Sequence, residues 1–372
     1  QSGSGTATLT FRYTVVEGDA SLDLDAASSG ALALTGNATL RDAAGNDATL
    51  TLSNATSLAS THAIVIDGVR PTVQVVGASG TTANGSFKAN DTVDITVGFS
   101  EPVTYTAGTG TFGLTLETGS TDRVATYQSG SGTATLTFRY TIQAGDTAAD
   151  LDVASTGALL LTNDATLQDA AGNPANLDLT SATSLASGHA LVIDTTPPTV
   201  LVVGATGTSS DGTKKIGDVV DVAIGFSEPV IYTAGSGTFG LTVETGTTDR
   251  VAAYQGGTGT ATLTFRYTVE EGDVSSDLAA TALTLTGNAS LRDAAGNDAV
   301  LSLSSATTLE SAHAIVVDGV RPTVLVVGDT GTTADGIKKI GDTVDVAIGF
   351  SEPVTYVAGT GTRRVLIRGV GP

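Results

Sequence analysis

Cysteine, methionine and tryptophan are all absent from this 372-residue chain. Without cysteine there is no disulfide framework, no thiolate metal site and no cysteine nucleophile. Aromatic residues make up only 5%, which argues against a stacking groove for sugars or bases. Positive charge is scarce as well: 17 Lys and Arg stand against 38 Asp and Glu, a formal balance of −21. Phosphate binding needs clustered Lys and Arg, so a nucleic-acid partner is not expected. No apolar run approaches the roughly 18–20 residues of a helical membrane span. What remains is 40% hydrophobic and only 15% charged, enough to bury a core and unlike a charge-rich disordered tail. The 46 glycines, with abundant Thr, Ser and Ala, point to many short strands and turns.

The chain repeats itself. The stretch that starts at Gln1 and ends Leu9-Thr10-Phe11-Arg12-Tyr13 recurs from Gln128 and, slightly altered, from Gln255. Later markers keep the step: Asp42, Asp169 and Asp293 are 127 and then 124 positions apart, as are Asp67, Asp194 and Asp318. The third copy has therefore lost three residues ahead of Leu283. Such a unit is too long for helical or leucine-rich solenoids, whose periods run roughly 20–50 residues, and has the size of a domain.

Within a unit the apolar period is two. Ala134, Leu136, Phe138 and Tyr140 alternate with Thr135, Thr137 and Arg139, and Val93, Ile95, Val97 and Phe99 alternate likewise, as do Phe112, Leu114 and Leu116. This is the pattern of strands with one buried face. Gly-Ser-Gly, Gly-Thr-Gly and Ala-Gly-Asn clusters between them supply turn chemistry. No stretch has a convincing helical period, and 147–154 reads as a loop. The expected fold class is all-β, an antiparallel sandwich in each unit. Proline interrupts the pattern at Pro71, at Pro197-Pro198 and at Pro322. Proline fixes its own φ and restricts the residue before it, so these are short, stiff connections. The expected domains are 68–194 and 195–318, with 1–67 the C-terminal part of another unit and 319–372 the N-terminal part of a fourth.

Four motifs in fixed order carry a resemblance: Asp91-Thr92-Val93-Asp94-Ile95-Thr96-Val97-Gly98-Phe99-Ser100-Glu101-Pro102-Val103, Ser131-Gly132-Thr133-Ala134-Thr135-Leu136-Thr137-Phe138-Arg139-Tyr140, Asp169-Ala170-Ala171-Gly172-Asn173, and Val192-Ile193-Asp194-Thr195-Thr196-Pro197-Pro198-Thr199-Val200. Together they resemble the bacterial Ig-like repeats of giant secreted surface proteins and adhesins. The resemblance covers nearly the whole chain. It implies an extracellular, elongated array of tandem Ig-like β-sandwiches at the bacterial cell surface, calcium-stiffened at its joints, and names no ligand. One departure is plain: Arg363-Arg364-Val365-Leu366-Ile367-Arg368 stands where the earlier units read like Phe112-Gly113-Leu114-Thr115-Leu116-Glu117. A truncated, frame-shifted or specialised end is expected there.

In an Ig-like order the Ser-Glu-Pro-Val turn closes the second strand at the end facing the preceding domain, where the linker Asp arrives. Asp67 with Glu101, and Asp194 with Glu228, are therefore expected to help bind Ca²⁺. The Asp169 and Asn173 turn adds to the set if it lies at that end. Repetition extends the candidates to Asp293, Asn297, Asp318 and Glu352. Calcium takes six to eight oxygens, and carboxylate, amide and backbone carbonyl groups are what such loops offer. The competing reading is a tight turn, with Asp accepting from backbone N–H groups and Gly or Asn at positive φ.

Other groups read as structure. Glu17, Asp19, Asp23 and Asp25, echoed by Asp146, Asp150 and Asp152 and by Glu271, Asp273 and Asp277, lack the full twelve-residue calcium-loop spacing and are expected to be solvated. His62, His189 and His313 recur before the last strand, as strand-edge residues without a triad. Ala107-Gly108-Thr109-Gly110-Thr111 lacks the Gly-Lys-Ser/Thr ending of a phosphate loop and reads as a hairpin turn. Phe11, Phe138 and Phe265, with Tyr13, Tyr140 and Tyr267, are expected on the buried side of one strand.

The expected function is a non-enzymatic spacer in a structural or adhesive surface protein, each domain contacting mainly its neighbours. The alternatives are a filament subunit joined by strand complementation between the end segments, or a module binding a carbohydrate or protein. Expected partners are neighbouring repeats, other copies of the chain, or a host or surface ligand. Secretion signals, anchors and any binding tip are expected outside this segment.

Overall fold

The computed structural model describes residues 2–361. The chain is all-β, with multiple antiparallel sheets. It divides into two compact units, residues 1–196 with 295–297, and residues 197–294 with 298–372.

In the first unit a short antiparallel pair, β1 (Ala20–Ser21) and β2 (Ile66–Asp67), leads into the main structure. There follow β3 (Val73–Val76), β4 (Gly85–Phe87), β5 (Thr92–Thr106), β6 (Phe112–Leu116), β7 (Arg123–Ser129), β8 (Thr133–Thr141), β9 (Thr147–Ala148), β10 (Leu159–Leu161), β11 (Thr166–Gln168), a one-turn helix α1 (Leu185–Gly188) and β12 (Leu191–Asp194). The large sheet runs β10-β6-β7-β8-β5-β11, with β3 also on β5. A smaller sheet places β12 parallel to β4 and antiparallel to β9.

Alternation decides what this sheet buries. Val93, Ile95 and Val97 of β5, Leu114 and Leu116 of β6, and Leu136 and Phe138 of β8 are all fully buried. Phe138 meets Phe112 edge-on at 4.9 Å and Tyr127 at 6.1 Å. Aromatic pairs at such edge-to-face geometry add to the burial energy of the rings. On the outward face, Asp94 lies opposite Arg139 in the register, and the pair bonds twice at 2.7 Å.

The second unit repeats the plan around its own core. Its strands are β13 (Val200–Val203), β14 (Gly212–Lys215), β15 (Val219–Thr233), β16 (Phe239–Val243), β17 (Arg250–Gly256), β18 (Thr260–Thr268), β19 (Val274–Ser275), β20 (Ala280–Leu285) and β21 (Ser290–Arg292). A second one-turn helix, α2 (Leu309–Ala312), and β22 (Ile315–Asp318) follow. Beyond them β23 (Val324–Val327) pairs with β24 (Ile348–Phe350). Among the described residues no helix is long and apolar enough to cross a membrane.

Several expectations are corrected. Ser100-Glu101-Pro102 does not close a strand: β5 runs on from Thr92 to Thr106, and its register with β8 shifts between Gly98 and Val103. Pro102 has no N–H to give to a ladder and lies within this break; Val103 pairs again with Thr133 of β8, and Thr104–Thr106 also pair with β11. The 107–111 segment is a turn but not a hairpin, because β5 and β6 are not neighbours. At Thr96, only 3% exposed, the outward face of β5 is covered as well. The Thr96 hydroxyl donates to the Ala78 carbonyl at 2.6 Å, and Thr81 bonds it from the same covering segment.

The acidic loops are not simply solvated. Asp146 and Asp273 are buried. Asp146 accepts from the Tyr140 hydroxyl at 2.7 Å, the Gln143 N–H at 2.9 Å and Arg123 Nε at 2.8 Å. Asp273 does the same with Tyr267, Glu270 and Arg250. Asp150 and Asp152 cap the N–H groups of Leu191 and Leu185. His189 follows α1, and its Nε2 meets the Gly77 carbonyl at 2.9 Å. Gly77 sits at φ +91°, where a Cβ would come within 2.8 Å of the imidazole, so this ring needs glycine beneath it. Phe138, Tyr140, Phe265 and Tyr267 are buried as expected, whereas Phe11 and Tyr13 are 66% and 55% exposed. The rings that cover Phe138 come from Phe112 and Tyr127. The departure at 363–368 lies outside the described residues.

Candidate metal centre

Three segments of the first unit bring carboxylates to one place. Asp67 ends β2, Glu101 sits at the irregularity in β5, and Asp169 opens the turn that follows β11. One oxygen from each lies within 4.8 Å of the others. The irregularity around Pro102 matters here, because Glu101 falls within the register shift between Gly98 and Val103 and not at a paired position of the β5–β8 ladder.

The 169–173 turn is built by its own sequence. The Gly172 N–H donates to the Asp169 carbonyl at 3.3 Å, and Gly172 adopts φ +92°, a conformation that favours glycine. The Asp169 carboxylate accepts from the Asn173 N–H at 2.8 Å and from Asn173 Nδ2 at 2.7 Å. Asn173 Nδ2 also donates to the Asp67 carbonyl at 3.0 Å. Asn173 thus ties linker to turn, with its nitrogen facing the two aspartates.

Electrostatics single out Glu101. Burial pushes its carboxyl above the usual range, and the neighbouring Asp67 and Asp169 charges push it further the same way. Three acidic groups this close repel unless a proton or a cation intervenes. A cation of charge two or more would relieve all three at once.

The remaining candidates repeat parts of this arrangement. In the second unit an oxygen of Glu228 and one of Asp293 lie within 4.8 Å of each other. Asp194 ends β12 in the first unit, and Asn297, grouped with that unit, donates Nδ2 to the Asp194 carbonyl at 2.8 Å. Asp318 ends β22, and Glu352 follows β24 with one carboxylate oxygen buried and without a hydrogen-bond partner. Among the described residues these two join no group of three acids.

The sequence passed over the Tyr140–Asp146–Arg123 set. Burial alone would push Asp146 up, but the Tyr140 hydroxyl, the Gln143 N–H and Arg123 outweigh it and hold the carboxyl below the ordinary aspartate range. Burial, followed by the bond to Asp146, raises the Tyr140 phenol. Its lone pairs are spent on these donors, so Asp146 is a structural clamp. The recurrence of Tyr six residues before Asp in every copy, at Tyr13, Tyr140 and Tyr267, was the available signal. No protein-family model matches the chain, and no curated protein matches it.

Proposed function

We propose that the chain is a non-enzymatic spacer segment of an extracellular bacterial surface protein. In this reading it is made of tandem Ig-like β-sandwich domains, 68–194 and 195–318 with parts of two more, whose joints are stiffened by Ca²⁺. The observation that carries the metal part is the convergence of Asp67, Glu101 and Asp169 from a linker, a strand irregularity and a turn.

The donor set fits the ion. Calcium–oxygen bonds of roughly 2.3–2.6 Å put ligands on opposite sides of the ion about 4.6–5.2 Å apart, and the three acids fall within 4.8 Å of one another. Asp67, Glu101 and Asp169 would hold the ion, and Asn173 would fix the distance between linker and turn. When bound, the ion supplies positive charge that ties the linker to the domain after it. The sequence repeats the same residue types at Asp194, Glu228, Asp293 and Asn297, and in part at Asp318 and Glu352.

A spacer needs reach and stiffness, and repetition supplies reach because each domain contacts mainly its neighbours. Small-angle scattering and thermal melting test the reading together. Maximum dimension and melting temperature should both rise in millimolar Ca²⁺ and fall with chelator. A chain indifferent to both reagents would have no calcium joints.

A further inference from the structure

The smaller sheet of each unit joins an early strand to a late one, and the two run the same way. In the first unit β4 pairs with β12 through Gly85–Leu191, Ser86–Val192 and Phe87–Ile193. In the second, β14 pairs with β22 through Gly212–Ile315, Thr213–Val316, Lys214–Val317 and Lys215–Asp318. A backbone bond closes the start of each pair: the Gly85 N–H donates to the Ala190 carbonyl at 3.0 Å, and the Gly212 N–H to the Ala314 carbonyl at 2.9 Å. The chain just upstream of β4 is held in the same sense, with parallel bridges from Thr72 to Asn176 and from Val75 to Thr183.

Direction decides how such a pair fails. Tension along the chain reaches β4 from its N-terminal side and leaves β12 from its C-terminal side. In a parallel pair those two ends lie at opposite ends of the ladder. The strands can then part only by sliding past one another, which strains every rung at once. Two strands gripped at the same end of their ladder instead open rung by rung. The strands β5 to β8, with the buried Val93, Ile95, Leu136 and Phe138, all lie in the stretch of chain that the β4–β12 ladder closes.

We propose that each unit bears tension along the chain, with β4–β12 and β14–β22 as the pairs that carry the load. The two pairs are not equal. β14–β22 has four rungs in register where β4–β12 has three. At its start His313 Nδ1 and Asp211 Oδ1 stand 3.0 Å apart, and the same position in the first unit is Asn84, whose Oδ1 accepts from the Ala190 N–H at 3.1 Å. The second unit therefore holds to higher force than the first. Forced unfolding is governed by the barrier met along the pull and not by equilibrium stability, so this difference is separate from melting temperature. Strand geometry alone sets it, and calcium plays no part.

The chain has no cysteine, so a pair of introduced cysteines fixes the axis of a single-molecule pull on the full chain, with chelator present. Val69→Cys with Thr196→Cys loads β4–β12 by sliding. Ala83→Cys with Ala190→Cys grips both strands at their N-terminal ends and peels them apart. All four positions are exposed, and urea unfolding should be the same in both variants. Peeling should need roughly a third of the sliding force, because one rung is loaded in place of three. Thr196→Cys with Val320→Cys slides β14–β22 and should need about a third more force than the sliding pull on β4–β12, by the same count of rungs. Equal force along the two axes of the first unit overturns the proposal, and so does a second unit that yields at or below the force of the first.

Discussion

Residues 2–67 and 129–194 are two copies of nearly one sequence in two different settings. Some features survive the change of setting intact. Asp42 accepts from the Asn46 N–H and Nδ2 at 2.8 Å, as Asp169 does from Asn173. Tyr13 donates to Asp19, as Tyr140 does to Asp146. Other features are lost: the 133–141 segment is a nine-residue strand, whereas its counterpart at 6–14 contributes only an isolated bridge between Ser2 and Thr10. Turns close over a few residues and carry their own hydrogen bonds. A strand must borrow both its ladder and its cover from residues far along the chain, and 133–141 takes its ladder from β5 and β7.

The largest effect should come from replacing one aromatic in each setting. Phe138→Ala empties the centre of a closed core and should cost about 3–5 kcal/mol in urea unfolding of that copy. Phe11→Ala should leave the same transition where it was. Equal losses at both positions would show that residues 2–67 are covered after all.

A smaller difference should follow at the clamp. Asp146→Asn leaves Arg123 facing a neutral group. Because that arginine is about a quarter exposed, the cost should be about 2–3 kcal/mol, below the ~3–5 of a fully buried pair. Asp19→Asn should leave urea unfolding unchanged, because Asp19 and Tyr13 lie at the surface.

The smallest effects are those of pH, and the two carboxylates predict opposite signs. Asp146 is held below its unfolded value, so its stabilisation is present above the ordinary aspartate range, near pH ~3.9, and is lost as pH falls through the folded value. Glu101 is raised. In chelator, its contribution favours the folded state at low pH and is lost as pH rises through the folded value. Melting in chelator should therefore improve on mild acidification from neutrality, and Glu101→Gln should abolish that improvement while leaving the acid-side loss from Asp146 in place.

The local layer was legible in the sequence. Alternation located Val93, Ile95 and Val97, Leu136 and Phe138, and Phe112, Leu114 and Leu116, all of which are buried. An Ig-like strand order led to the expectation that Asp67 joins Glu101, with Asp169 added only if its turn lay at the same end; one oxygen of each lies within 4.8 Å of the others. What could not be read were consequences of distant chain. Thr96 is buried because 78–81 folds over it, and a period-two pattern registers only one covered face. Glu101 lies at an irregularity in mid-strand because the β5–β8 register shifts between Gly98 and Val103, around Pro102. Asp146 looked solvated because Arg123 does not announce itself as its partner along the sequence, although a Tyr stands six residues before the Asp in each of three copies.

Isothermal titration of Ca²⁺ into the chelator-treated full chain, with and without Glu101→Gln, tests most directly whether Asp67, Glu101 and Asp169 hold a cation. The substitution keeps the shape of the side chain and removes one of three converging charges. The unsubstituted chain should bind calcium, and the variant should lose about one site while its circular dichroism is unchanged. An isotherm that the substitution leaves unaltered, or the absence of any calcium binding by the unsubstituted chain, would contradict it.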